Sequence, residues 1–196
     1  NCASLLMRIV ELDAADVDAH LDQLAQLLLD AHASNMALGF ASPLTRERAA
    51  DAYRQTAARL APGERVLFGA LDGDTLVGAV HIARATAENG RHRAELQRLV
   101  VSSSRRGEGL GRALLEAAVE HARALGLGLL WLTTHEETGA DQVYRPVNFH
   151  VLGQVTEWPT APKDSFIVAN ADYLTRMTGS DAVGSFLIAT ADPPST

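Results

Sequence analysis

The sequence predicts an α/β fold, with a mixed, mostly antiparallel central sheet flanked by helices. Helical and strand periodicities alternate along the chain. Asp72-Gly73-Asp74 joins two strand-like runs as a hairpin. One glycine-rich loop hands a strand over to an amphipathic helix and then to another strand, the pattern of a single crossover. The 196 residues, 47% hydrophobic and 21% charged, suit one folded domain over residues 1–178. Residues 179–196, where periodicity fades into Ala191-Asp192-Pro193-Pro194-Ser195-Thr196, are expected to form a flexible tail.

Met7 to Leu12 reads as a short strand. A helix follows from about Ala15 to Ala33, because Val17, Leu21, Leu24, Leu28 and Ala31 fall on one face, with Asp13 or Asp16 as its cap. Ser34 to Leu44 is a loop containing Gly39-Phe40, and Thr45 to Leu60 resumes helical spacing until Pro62-Gly63 stops it. Val66 to Leu71 and Thr75 to Ala85 are the hairpin strands, since Asp-Gly tolerates the positive φ of a tight turn. After the polar loop Thr86 to His92 come a strand, Ala94 to Val101, and a loop, Ser102 to Gly109. The next helix places Leu110, Ala113, Leu114, Ala117, Ala118 and His121 on one face and ends near Gly126. Leu129 to Thr133 is a buried strand by its apolar run, and Ala140 to Arg145 is a short helix that Pro146 helps terminate. Phe149 to Val155 and Ser165 to Ala171 supply two closing strands. The expected order is β, α, α, β, β, β, α, β, α, β, β.

Composition narrows the function classes. The longest apolar stretch, Leu125 to Leu132, is well short of the roughly 20 residues that cross a bilayer, so no membrane association is expected. Cys2 is the only cysteine, which excludes an intrachain disulfide and a cysteine-rich zinc site and fits a reducing, cytoplasmic setting. The histidines are scattered without clustered carboxylates, so no metal site is expected. A formal charge of −7 disfavours broad binding to a phosphate backbone, and nucleic acid is not an expected partner. The acidic average conceals a local excess. Arg91 to Arg112 holds six of the 17 basic residues against only Glu95 and Glu108, a patch able to attract an anion.

That patch contains the informative segment, Leu96-Gln97-Arg98-Leu99-Val100-Val101 followed by Ser102-Ser103-Ser104-Arg105-Arg106-Gly107-Glu108-Gly109-Leu110-Gly111 and a helix. Glycines at 107, 109 and 111 let a backbone wrap closely around a ligand. The first N–H groups of the helix lack internal partners and its dipole is positive there, so a phosphate or pyrophosphate is the natural guest. Glycine spacing alone leaves open a tight turn leading into a packed helix. A dinucleotide fingerprint is disfavoured because a hairpin precedes the loop and no acidic residue closes the next strand, which ends in Thr133-Thr134. The lysine of a nucleoside-triphosphate loop is also missing.

Arg106-Gly107-Glu108-Gly109-Leu110-Gly111, preceded by a strand and followed by an Ala/Leu-rich helix, resembles the central motif of the GNAT acyl-CoA-dependent N-acetyltransferases. Downstream, Val143-Tyr144-Arg145-Pro146-Val147-Asn148-Phe149 is similar to the family's tyrosine on a short helix before an aromatic-led strand, with Asn148 where glycine is usual. The resemblance covers Val66 to Val155 well and the N-terminal helices loosely. Within the superfamily, the run His92 to Val101 and the Gly39-Phe40 loop resemble the tabtoxin-resistance acetyltransferases.

The resemblance implies a GNAT-like fold and acetyl-CoA as co-substrate, with no metal. Leu99, Val100 and Val101 would bond the pantetheine arm through their backbone, while the amides of Gly107, Glu108, Gly109, Leu110, Gly111 and Arg112 hold the pyrophosphate, with Arg106 and Arg112 adding charge. Attack of an amine on a thioester needs a neutral nucleophile, a polarised carbonyl and a proton for the thiolate. Tyr144 is the candidate acid, because a phenol of ordinary pKa near 10 is protonated at neutral pH. Glu95 matches the position where some members place a general base. Thr133 stands where others have a carboxylate, which leaves Glu95, His135 or Glu136 to compete. The acceptor is expected between the N-terminal helices, their Asn35 to Leu44 loop and the C-terminal strands. The expected activity is transfer of acetyl from acetyl-CoA to an amine of a small molecule, such as an amino-acid-like toxin or antibiotic. A non-catalytic acyl-CoA-binding module and a protein or peptide N-acetyltransferase are the alternatives, and a homodimer is compatible with any of them.

Overall fold

The computed structural model describes residues 7–34, 36, 38–135, 141–147, 149–155 and 165–169. Its strands are β1 (Met7–Glu11), β2 (Arg65–Asp72), β3 (Thr75–Arg84), β4 (Arg93–Val101), β5 (Leu129–His135), β6 (His150–Val155) and β7 (Ser165–Ala169). Its helices are α1 (Ala14–Ala19), α2 (Leu21–Ala33), α3 (Arg46–Ala57), α4 (Leu110–Ala124) and α5 (Asp141–Tyr144). The expected tail, Glu136, Asn35 and Asn148 lie outside the described residues.

The strands form one seven-stranded sheet in the order β1-β2-β3-β4-β5-β7-β6. Every pairing is antiparallel except β4 with β5, which α4 connects as a parallel crossover. The mixed, mostly antiparallel sheet predicted from the sequence is therefore present. Its order was not predictable from strand signals alone: the last strand enters between β5 and β6 because the β6–β7 hairpin folds back onto β5.

The single helix expected from Ala15 to Ala33 is two. Asp13 and Asp16 cap α1 reciprocally, each accepting the other's backbone N–H at 2.8 and 3.1 Å. His20 then leaves the helical region at φ −106° and ψ 14° before α2 begins. The apolar spacing from Val17 through Leu21 to Leu24 runs across the break, so periodicity does not register it. Asp16 and Asp18 within a six-residue helix favour local backbone bonding over propagation. The next helix, α3, is capped by Thr45 and stops at Ala57, three residues before the expected end.

Side chains of β2 and β3 alternate between two cores, one on each face. Val66, Phe68, Val80 and Ile82 pack with Leu114, Leu115 and Ala118 of α4. Leu67, Leu71 and Ala79 pack with Leu24, Leu28, Ala49 and Tyr53 of α2 and α3. Burial on both faces is why β2 reads as a nearly continuous apolar run.

Candidate active site

Beside the start of α4 lies a cavity of about 440 Å³ lined by Leu99 and Val101 of β4, Arg105 to Gly107 of the loop, and Gly109 to Arg112. Met36, Val143 and Pro146 complete the wall. Gly109 is the N-cap of α4 at φ 81°, gives no side-chain cap, and is followed by a first turn with no acidic residue. The first intrahelical bond at this end is Ala113 N–H to the Gly109 carbonyl. The amides of Leu110, Gly111 and Arg112 therefore precede the helical ladder and stand at the cavity, which is what an anion site requires.

Of the ten residues expected at a cofactor site, Leu99, Val101, Arg106, Gly107, Gly109, Leu110, Gly111 and Arg112 line this cavity. Val100 does not: its side chain is buried in the opposite core, so only its backbone is available on this side. Glu108 is turned to Arg105, whose Nε donates to it at 2.8 Å and whose Nη1 also bonds Asp72. Arg106 Nε donates to the Val101 carbonyl at 3.4 Å, which ties the loop to the end of β4. Arg112 is paired with Glu116 at 2.8 Å, an exposed i,i+4 pair worth about 0.3–0.5 kcal/mol and readily exchanged. Arg105 was not anticipated here, although its place in the loop is visible in the sequence.

Tyr144 ends α5, between the cavity-lining Val143 and Pro146, but its own ring is turned to the α4-side core, 6.0 Å edge-to-face from Phe149. Burial raises its phenol to about 12. Glu95 is half-buried on β4 and accepts from Gln97 Nε2 at 2.6 Å, and Gln97 Oε1 accepts from Arg65 Nη1 at 2.8 Å. Glu95 is also the last β4 residue paired with β5, opposite Trp131. Both strands continue past it without pairing to each other, so it stands where the sheet opens between its two faces.

Residues 23–149 match the Acetyltransferase (GNAT) family. The chain belongs to the GNAT acetyltransferases. Solved structures share this fold at low identity. Ribosomal-protein-alanine N-acetyltransferase from Brucella melitensis is 22% identical with a TM-score of 0.67, over 83% of this chain and 98% of that one. The GNAT-family acetyltransferase from Streptococcus pneumoniae is 21% identical, TM-score 0.65, over 84% and 98%. The yncA protein of Salmonella typhimurium, solved with its cofactor acetyl-CoA, is 18% identical, TM-score 0.67, over 84% and 92%. By its family the protein is an N-acetyltransferase, and the acyl donor of that family is acetyl-CoA. The cavity suits that donor, with uncapped amides and arginines for a diphosphate and an apolar wall of Leu99, Val101 and Val143 for a pantetheine chain.

The GNAT sheet also holds, on its other face, a polar cluster assembled from residues far apart in the sequence. Arg98 has φ 51° and lies in a bulge, where Arg98 and Leu99 together oppose Val80 of β3. Its guanidinium lies 4.9 Å from the Phe40 ring centroid. Tyr53 and His81, both fully buried, meet edge to face at 5.4 Å. A signal existed: Gln97-Arg98 puts two polar residues in succession where strand alternation allows one, which marks an inserted residue. Among the described residues no helix is long and apolar enough to cross a membrane, and no group of three His, Cys, Asp or Glu could hold a metal. The side chains of Thr133 and His135 are not among those described.

His81 carries a stability consequence. Burial, then the charges of Arg98 and Arg65, hold its imidazole well below its ordinary 6.5. The folded protein keeps it neutral, while the unfolded chain protonates near pH 6.5. The unfolded state binds the extra proton, so stability is full above pH 6.5 and falls as pH drops below it, by up to about 1.4 kcal/mol per pH unit. Urea midpoints measured from pH 7.5 to 5 are expected to show this slope, and His81→Leu to remove it.

Proposed function

We propose that this acetyltransferase transfers the acetyl group of acetyl-CoA to the amine of a small molecule, with Tyr144 as the acid and Glu95 as the base. The observation that carries the reading is the break in the sheet at Glu95 and Trp131. The glycine-lined cavity lies on the α4 side of β4, and Glu95 lies beside the gap on the face covered by α2 and α3. A thioester entering from one side and an amine from the other meet there.

Each residue has a physical task. The amides of Gly107 to Arg112, with Arg106 and Arg112, hold the diphosphate, and β4 offers Leu99, Val100 and Val101 as an edge for the pantetheine arm. Glu95 takes the proton of the ammonium, directly or through water, so that the amine attacks as a neutral nucleophile. Gln97 and Arg65 orient that carboxylate, since Gln97 relays the Arg65 charge into a charge-assisted hydrogen bond. Tyr144 donates to the departing sulfur. Burial keeps its phenol protonated at neutral pH, so the proton is present for the departing sulfur. The resemblance of His92 to Val101 and Gly39-Phe40 to the tabtoxin-resistance enzymes favours a compact acceptor, and the lone Cys2 suits a cytoplasmic setting.

An acetyl-CoA thiol-release assay across amines, amino acids, amine-bearing antibiotics and peptides tests the reading. Turnover confined to small amines is expected. Turnover confined to peptides would make the acceptor a protein, and acetyl-CoA binding without any acceptor-dependent turnover would make the chain a non-catalytic binding module. Glu95→Gln is expected to lower kcat by about 10- to 100-fold and to change the shape of the pH profile. An unaltered profile would exclude Glu95 as the base.

A further inference from the structure

The polar cluster beneath α2 and α3 has no task in the reaction as set out. Arg98 is half-buried, and among the described residues its guanidinium has no hydrogen-bond acceptor and no carboxylate partner. It lies over the face of Phe40, which leaves the in-plane N–H fork unbonded. Nearby, the Tyr53 hydroxyl and both nitrogens of His81 are buried without a partner. Arg65, the other cation whose charge reaches His81, is engaged with Gln97. Arg98 also occupies a left-handed backbone conformation that a non-glycine residue adopts only at a cost in free energy.

A half-buried guanidinium without a carboxylate partner stands on one face with a hydroxyl and an imidazole that are buried and unpartnered, and such buried polar groups are unfavourable unless a ligand completes them. The cluster offers one free positive charge in a planar fork and neutral donors around it. That combination fits a monoanion with two oxygens in a plane, a carboxylate. Glu95 lies three positions along the same strand, about 10 Å in extended backbone before side-chain reach is counted. A small molecule with its carboxylate at Arg98 can present its amine toward Glu95 and the opening of the sheet.

We infer that Arg98, Tyr53 and His81, roofed by Phe40, form an acceptor subsite for a carboxylate, and that the amine acetylated here belongs to an amino acid or a close derivative of one. The inference rests on the acceptor reading above and sharpens it to a substrate class.

Matched pairs decide it: amino acids of graded chain length, each beside its carboxamide, which keeps the amine and the shape and removes the charge. Calorimetry on the CoA-loaded protein measures affinity, and thiol release measures kcat/KM for the same pairs. The preferred carboxylate is expected to bind at least about 10-fold more tightly than its carboxamide, with the kinetic difference mainly in KM. Arg98→Gln is expected to bring the pair within about 2-fold while CoA affinity stays unchanged, and Arg98→Lys to recover part of the preference. Tyr53→Phe, which deletes only an unpartnered hydroxyl, is expected to weaken carboxylate binding by about 3- to 10-fold; with the wild-type comparison it decides the matter if Arg98→Gln does not fold. Equal binding of both members, binding of neither, or a preference that survives Arg98→Gln overturns the subsite. A preference that vanishes in Arg98→Gln without any acetyl transfer leaves the subsite standing and removes the small-amine transferase reading; transfer without a carboxylate preference does the reverse.

Discussion

Tyr144→Phe is expected to lower kcat by about 10- to 1000-fold while acetyl-CoA affinity changes little, because a proton donor to the leaving sulfur acts chiefly in the transition state. The range corresponds to about 1.4–4 kcal/mol of lost transition-state stabilisation. The change removes one oxygen and leaves the ring in its edge-to-face contact with Phe149, so the fold is expected to hold. With the phenol raised to about 12, activity is lost to its deprotonation only as pH rises toward that value. Any alkaline fall near pH 10 would therefore belong to another group. Steady-state thiol release with calorimetry on the same variant checks both halves, and an unchanged kcat would remove Tyr144 from the mechanism.

Gly109→Val is expected to raise the acetyl-CoA dissociation constant by at least about 10-fold. A Cβ at Gly109 meets nothing within 4 Å, so crowding inside the protein is not the cause. The cause is φ 81°, a conformation in which a β-branched residue is strained by about 1–3 kcal/mol; relaxing it turns the first amides of α4 away from the cavity. Gly111→Ala is the contrasting case. Gly111 lies within α4, and an added Cβ would be 3.7 Å from Val143 Cγ1 in ordinary contact, so the fold is expected to be unchanged or up to about 1 kcal/mol more stable. The methyl narrows the cavity wall, and a several-fold loss of acetyl-CoA affinity is expected without loss of stability. Calorimetry showing undiminished acetyl-CoA binding by folded Gly109→Val would refute the amide cradle.

The two sites differ in how they could be read. The loop from Ser102 to Gly111 was legible because its place at the cavity depends on backbone conformation, with positive φ at Gly107 and Gly109, and glycine is the residue that advertises an unusual backbone. Its lining residues are nearly consecutive, so proximity in sequence implies proximity in space. Glu95 and Tyr144 were legible only through likeness to a family pattern. Of the Arg98 cluster only the bulge at Gln97-Arg98 left a trace in the sequence, because Phe40, Tyr53, His81 and Arg98 come from a loop, a helix and two strands. Tyr53 and His81 each look like an ordinary member of its own element.

From the residues alone came the element types, the Asp72-Gly73 hairpin, the crossover through α4 and the glycine-rich loop that lines the cavity, because periodicity, turn chemistry and glycine act over a few neighbouring positions. Tertiary structure decided the strand order, the break at His20, the end of the β4–β5 ladder at Glu95, and the turning of Val100 away from the cavity. Each of these depends on which distant surfaces bury one another, and a one-residue bulge at Arg98 is enough to exchange the faces of everything after it along β4.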